Sequence, residues 1–317
     1  MTMKRFFLGA LAALFLFVDA FGYEFPKPSL TVRLYPEGQS VDKGIVENGR
    51  ALTKGPGESN GLTGEVTDRG GHRYGNIGDD AWIEIFLPEK CNGEMIVICP
   101  GGGYSYCSYE GEGALAADWC LQRGIAACVV LYRMPNGHAN VPLTDVQNAF
   151  RYCRARAAEW GVNKIGVMGF SAGGHLAASA STLFVDEQTR PDFSVLVYPV
   201  ITLEEFTTHA GTRQNLLGDR VFRMQVENWS LDTRVSAKTP PAILLLSADD
   251  RAVPPENSIR YFRAMQRYNV PGELHIFSSG GHGWGFGTVE TVGRDGLGDQ
   301  RDNFSQTLER WLAARLK

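Results

Sequence analysis

Lys164-Ile-Gly-Val-Met-Gly-Phe-Ser-Ala-Gly-Gly-His175 decides how this chain is organised. A short apolar run ends in Gly169-Phe170-Ser171-Ala172-Gly173 and then turns helix-like through Leu176, Ala177, Ala178 and Ala180. Strand, G-x-S-x-G, helix is the context in which a serine sits at the apex of a strained turn with its hydroxyl exposed. Glycines two residues to either side are needed because a Cβ would collide across so sharp a bend. The helix that follows aims its first amides at any negative charge that develops beside Ser171. The other elements matter for whether they supply this serine with a base, an acid and an oxyanion site.

Outward from that turn, strand-like and helix-like segments alternate. Met95–Cys99, Ile125–Leu131, the Ile165 run, Phe193–Tyr198, Ala242–Ser247 and Glu273–Phe277 read as strands. Helices are expected over about 112–122, from an N-cap at Thr144 through Trp160 with Asp145 in its first turn, after Ser171, near 256–268 and over about 302–316. Continuous apolar strands separated by helices predict an α/β fold with a mostly parallel sheet covered on both faces. Ala81–Leu87 alternates and reads as a strand of an antiparallel edge, and Leu30–Tyr35 as a first strand. Gly55–Gly78 reads as irregular surface, and residues from about 201 to 238, which lack a sheet signal, as a small lid inserted beside the site.

The 317 residues contain no low-complexity linker, so one domain is expected over 23–317, with an extension at about 23–78. Lys4 and Arg5 precede an apolar run from Phe6 to Val18 and small residues at Ala20 and Gly22. That pattern is a secretory signal over 1–22, too short to span a membrane, so the mature chain is expected to be secreted or periplasmic with no membrane span. A net charge of -4 without a basic cluster argues against nucleic acid as a partner and suits a neutral or weakly charged substrate. The six cysteines sit mostly in apolar strand-like or helix-like runs and read as buried free thiols. With no C-x-x-C pair or His/Cys cluster, neither a metal nor a cofactor is expected. The triple glycine Gly101–Gly103 is not followed by G-x-G-x-x-G or a P-loop lysine, which sets a nucleotide cradle aside.

A serine hydroxyl needs a general base, and the base needs an orienting carboxylate; after this elbow they follow in the order acid, then histidine. Of six histidines, His72 and His138 precede the serine, His175 points away by helical phase, and His275 lies within a strand. His209 in the lid is a competitor, but His282, in Ser279-Gly-Gly-His282-Gly-Trp-Gly directly after the last strand, is the preferred base. Asp249 and Asp250 both sit at a strand's carboxyl end, where open parallel sheets build sites. Asp250, with the spacing Asp-x-x-Val-Pro, is the preferred acid, leaving Asp249 to bond local backbone. The oxyanion donors are expected to be the Ala172 amide and an amide of Gly102 or Gly103. Tyr104, Tyr106, Trp229 and Trp284 are the aromatic candidates for substrate contact.

Pro100-Gly-Gly-Gly-Tyr104, Ala158-Glu-Trp-Gly161, Ile165 to Ala177, Arg190-Pro-Asp192, Asn215-Leu-Leu-Gly218, Ala248-Asp-Asp250, Val253-Pro254, Asn257-Ser258 and Gly280-Gly-His-Gly283 together resemble the α/β-hydrolase superfamily. More narrowly, they are similar to the secreted acetyl esterases and acetyl xylan esterases of the lipase/dienelactone-hydrolase-like group. The likeness covers roughly residues 80–316 and departs where Pro100 stands in place of the histidine of an HGGG-type loop. It implies a serine carboxylesterase acting on acylated carbohydrate such as xylan through an acyl-enzyme. Feruloyl esterase and general short-chain carboxylesterase are the alternatives. A peptidase would need a large added domain, and a non-catalytic binding module a missing triad member.

Overall fold

The computed structural model describes residues 23–35, 65–68, 71–75, 77, 81–292 and 295–315. The expected export segment 1–22 lies outside them. The strands are β1 (Leu30–Arg33), β2 (Glu65–Asp68), β3 (Gly71–Gly75), β4 (Trp82–Phe86), β5 (Glu94–Cys99), β6 (Tyr106–Cys107), β7 (Ala126–Leu131), β8 (Lys164–Phe170), β9 (Ser194–Val197), β10 (Ala242–Ser247) and β11 (Gly272–Phe277). The α-helices are α1 (Leu115–Leu121), α2 (Asn140–Arg156), α3 (Ser171–Thr182), α4 (Ala210–Leu217), α5 (Arg223–Trp229), α6 (Glu256–Arg267), α7 (Val289–Val292) and α8 (Arg301–Ala313).

Eight strands form one sheet in the order β1-β4-β7-β5-β8-β9-β10-β11. β1, β4 and β7 pair antiparallel, and every pair from β7 to β11 is parallel. β5, β7 and β10 are buried along their whole length, as expected of strands covered on both faces. Side chains alternate along β8, so Gly166 and Gly169 face opposite sides. A Cβ at Gly169 would meet Ala177 of α3, and one at Gly166 would meet Phe193, which packs on Trp311 of α8. Helices therefore cover both faces of the sheet. α2 presents an apolar stripe at three- and four-residue spacing, Val146, Ala149, Phe150 and Cys153, and α8 presents another, Phe304, Leu308, Trp311 and Leu312. All six cysteines are free thiols, five of them buried.

Two sequence expectations need correction here. Within the stretch expected to be irregular, β2 and β3 form an antiparallel hairpin that β6 extends. Thr144 is not an N-cap: α2 begins at Asn140, and the Thr144 hydroxyl donates to the Asn140 carbonyl one turn back. Asp145 is consequently not a solvated first-turn acid but a buried partner of Arg133.

The Asp145 carboxylate accepts the Arg133 backbone amide at 2.8 Å, its guanidinium at 2.7 Å and the Tyr35 hydroxyl at 2.6 Å. Tyr35 also takes a bond from Asn148, and the Arg133 guanidinium lies over its ring. This network ties the N-terminal segment, which β1 adds to the sheet edge, to the end of β7 and to α2. Asp145→Ala removes the carboxylate that balances the charge of Arg133, which is 1% exposed. The expected loss is about 3–5 kcal/mol in urea unfolding, whereas replacing both partners by apolar residues loses less.

Glu94 is fully buried, and among the described residues neither carboxylate oxygen has a hydrogen-bond partner. Burial pushes its pKa up from 4.5 to about 6, against the nearby charges of Lys164 and Arg315. A raised folded-state value means the favourable contribution is complete below about 4.5 and is lost as pH rises through about 6, a difference of about 2 kcal/mol. Glu94→Gln should therefore stabilise the chain by about 1–2 kcal/mol at pH 8 and by almost nothing at pH 4, read from denaturant midpoints.

Candidate active site

Ser171 begins α3 with φ of 53°, a strained conformation for a residue bearing a Cβ. The flanking glycines are obligatory: a Cβ at Gly169 would lie 2.1 Å from the Gly173 carbonyl oxygen, and one at Gly173 2.1 Å from that of Cys99. The turn leaves Ser171 largely shielded but opening into a cavity of about 300 Å3 at the carboxyl ends of the strands.

Two loops from that same sheet end meet the serine. His282 follows β11, and its Nε2 lies 2.8 Å from Ser171 Oγ. Asp250 follows β10, and its Oδ2 lies 2.7 Å from His282 Nδ1. The other Asp250 oxygen accepts the amides of Ala252 and Val253, both at 2.9 Å, so the carboxylate orientation is fixed. The Asp250 carboxylate accepts a hydrogen bond from Nδ1–H, which leaves Nε2 as an acceptor for the serine hydroxyl. Asp249 Oδ1 instead accepts the Gly281 amide at 2.8 Å, fastening the histidine loop to the aspartate loop. Arg301 holds the same loop from beyond through the carbonyls of Gly285 and Gly287.

Gly102 and Gly103, with φ of 131° and 63°, line the cavity beside Ser171, and Ala172 contributes an amide from the first turn of α3. A Cβ at Gly102 would fall 2.1 Å from the Tyr106 carbonyl oxygen, so only glycine fits that turn.

Glu112, not singled out from the sequence, braces this loop. One of its oxygens accepts the Gly101 amide at 2.7 Å and the other the Tyr198 hydroxyl at 2.7 Å. The Tyr198 oxygen in turn accepts the Gly285 amide, and its ring packs 4.8 Å from the His282 ring, centroid to centroid. One buried carboxylate thus links the glycine loop, the end of β9 and the histidine loop. Glu110 and Asp118 flank the same apolar run Ala114–Ala117, so the sequence does not single Glu112 out.

Three of the four aromatic expectations are corrected. Tyr104 is 1% exposed, with its hydroxyl donating to His175 Nδ1, and Trp284 is 4% exposed, with its indole N–H donating to Ser247. Both find their polar partners inside and cannot meet a substrate. Trp229 is half-buried against the core and does not line the cavity; its carbonyl accepts the His175 Nε2–H. Between these partners His175 is buried, as its helical phase predicts, and burial pushes its pKa down to about 4. Tyr106 does line the cavity. His275 is not a packing residue: it is half-exposed and lies 2.8 Å from Glu273. From the 201–238 segment, His209, Gly211 and Asn215 reach the cavity, and Asn215 donates to the Gly103 carbonyl at 2.8 Å. Among the described residues, no group of three His, Cys, Asp or Glu side chains is arranged to hold a metal ion. Nor is any described helix long and apolar enough to cross a membrane.

A serine on a strained strand-to-helix turn, faced by a histidine and an aspartate from the ends of later parallel strands, defines the α/β-hydrolase class, and this fold is of that class. The chain belongs to the BD-FAE family, whose model matches residues 83–265. It is 43% identical over 221 residues to an acetylxylan esterase of Xylanibacter ruminicola, covering 67% of this chain and 46% of that protein. It is 34% identical over 207 residues to endo-1,4-beta-xylanase B of Butyrivibrio fibrisolvens, covering 60% of this chain and 32% of that protein. The chain thus spans less than half the length of these two relatives. Among solved structures, the acetyl ester-xyloside bifunctional hydrolase of Caldicellulosiruptor lactoaceticus superposes with a TM-score of 0.68 at 28% identity, over 91% of this chain and 97% of that one.

Proposed function

We propose that this chain is a secreted serine carboxylesterase that removes acetyl groups from xylan or xylo-oligosaccharides. The observation that carries the reading is the relay Asp250–His282–Ser171, with contacts of 2.7 and 2.8 Å, at the floor of an open cavity. His282 Nε2 takes the Ser171 proton as Oγ attacks the ester carbonyl, and Asp250 stabilises the imidazolium. The oxyanion rests on the Ala172 amide and an amide of Gly102 or Gly103. The carbon–oxygen bond to the alcohol breaks, His282 returns the proton to the leaving oxygen, and water activated by His282 then frees the acid from Ser171.

The lining favours a short acyl group and a polar alcohol. Glycines, hydroxyls, two imidazoles, an amide and Glu112 surround Ser171, with Tyr106 the one aromatic and no aliphatic side chain among the described residues. A long acyl chain would gain little there. The single carboxylate in that lining is committed to Gly101 and Tyr198, which disfavours the paired-carboxylate chemistry of glycoside hydrolysis. The names of the similar proteins, acetylxylan esterase and acetyl ester-xyloside hydrolase, support the substrate class. The sequence pattern over 1–22 supports export.

The test is acetate release from acetylated xylan, run beside butyryl, octanoyl and feruloyl esters of similar alcohols. Acetyl esters should have the highest kcat/KM, with octanoyl esters lower by about a hundredfold or more. Preference for feruloyl or long-chain esters would replace this reading.

A further inference from the structure

His209, weighed above as a rival base, has a different setting from His282. It caps α4: its Nδ1 accepts the Thr212 amide at 3.2 Å and lies 2.9 Å from the Thr212 hydroxyl. A backbone amide can only donate, so Nδ1 is an acceptor and the ring proton resides on Nε2. The ring cannot then relay a proton from Ser171 through a carboxylate, because no acid faces its Nδ1. Its Nε2–H has no partner among the described residues.

The ring is nonetheless part of the cavity that holds Ser171 and His282. Its Cε1, the carbon between the two nitrogens, lies 3.7 Å from where a Cβ on Gly103 would sit. Gly211 makes room for it, since a Cβ there would approach Cε1 to 3.2 Å. Burial, followed by the nearby His282, holds its pKa below the usual histidine value, so the ring is a neutral donor at neutral pH. The ring shares the cavity wall with His282, the imidazole that protonates the departing alcohol, and abuts the glycine loop at Gly103.

We infer that His209 is a specificity-determining residue whose Nε2–H donates a hydrogen bond to an oxygen on the alcohol side of the ester, selecting acylated polyols such as partly acetylated sugars over esters of apolar alcohols. This rests on the esterase reading above and adds a recognition contact to it. A half-buried donor in the wall of a site discriminates against a ligand that offers no acceptor, because the donor then loses its water without replacement.

The test compares kcat/KM for a mono-acetylated methyl xyloside with kcat/KM for phenyl acetate, whose alcohol side has no oxygen beyond the ester. His209→Asn keeps a good cap for the Thr212 amide but is too short to enter the cavity; His209→Gln keeps a longer donor. The xyloside-to-phenyl ratio should fall at least about tenfold in His209→Asn, mainly through KM, and by less in His209→Gln. A ratio within about twofold of the wild type overturns the inference. An equal loss on both esters also overturns it, placing the ring at the oxyanion instead. If the unsubstituted enzyme cleaves phenyl acetate but not the xyloside, the sugar assignment fails with this contact; if it cleaves neither, the esterase reading itself fails.

Discussion

Ser171→Ala should lower kcat on acetyl esters by about ten-thousand-fold or more while leaving the fold and the affinity for substrate nearly intact. The substitution removes the hydroxyl oxygen that His282 Nε2 meets at 2.8 Å, so no acyl-enzyme can form. Alanine adopts the same strained φ as serine at this position, with the same Cβ, so the turn is no more strained than before. The Ser171 carbonyl still accepts the Val200 amide at 3.0 Å, and the glycines that make the bend are untouched. Activity measured by acetate release, alongside thermal unfolding of both proteins, checks both halves of this expectation. A residual rate above water is expected, because the oxyanion amides remain.

Asp250→Asn should be nearly as severe, at roughly a ten-thousand-fold loss in kcat, for a reason visible in the hydrogen bonds. Two amides, from Ala252 and Val253, point at Oδ1 and demand an acceptor there. An asparagine must therefore turn its carbonyl oxygen towards them and its NH2 towards His282 Nδ1. The imidazole then has to accept at Nδ1 and carry its proton on Nε2, where it faces Ser171 Oγ and can no longer take a proton from it. The geometry is preserved and the chemistry is lost. Steady-state kinetics should show kcat falling far more than KM changes.

The sheet was legible because continuous apolar runs such as Ile96–Ile98 and Leu244–Leu246 have few alternatives to a doubly covered strand. The serine was legible because its turn needs Gly169 and Gly173 on steric grounds alone, and Asp250 and His282 because they sit just past strand ends in glycine- or proline-bearing loops. What stayed hidden involves partners distant in the chain. Whether Tyr104 or Trp284 faces the cavity depends on whether an inward partner exists, and His175 and Ser247 provide one. Glu112 acquires its place only when Gly101 and Tyr198 arrive from elsewhere, the latter 86 positions away. Thr144 failed as a cap signal because Asp145, drawn inward by Arg133, requires α2 to be already wound at that point. Local propensity marks where helices can begin, and long-range pairing decides where they do.

Acyl transfer by a Ser171 activated by His282 can be read out by treating the protein with a serine-directed phosphonate and mapping the modified peptide by mass spectrometry. A single adduct on Ser171, loss of esterase activity in proportion to labelling, and no adduct in Ser171→Ala are expected. An active enzyme that resists labelling, or that carries the adduct on another residue while losing activity, would contradict it.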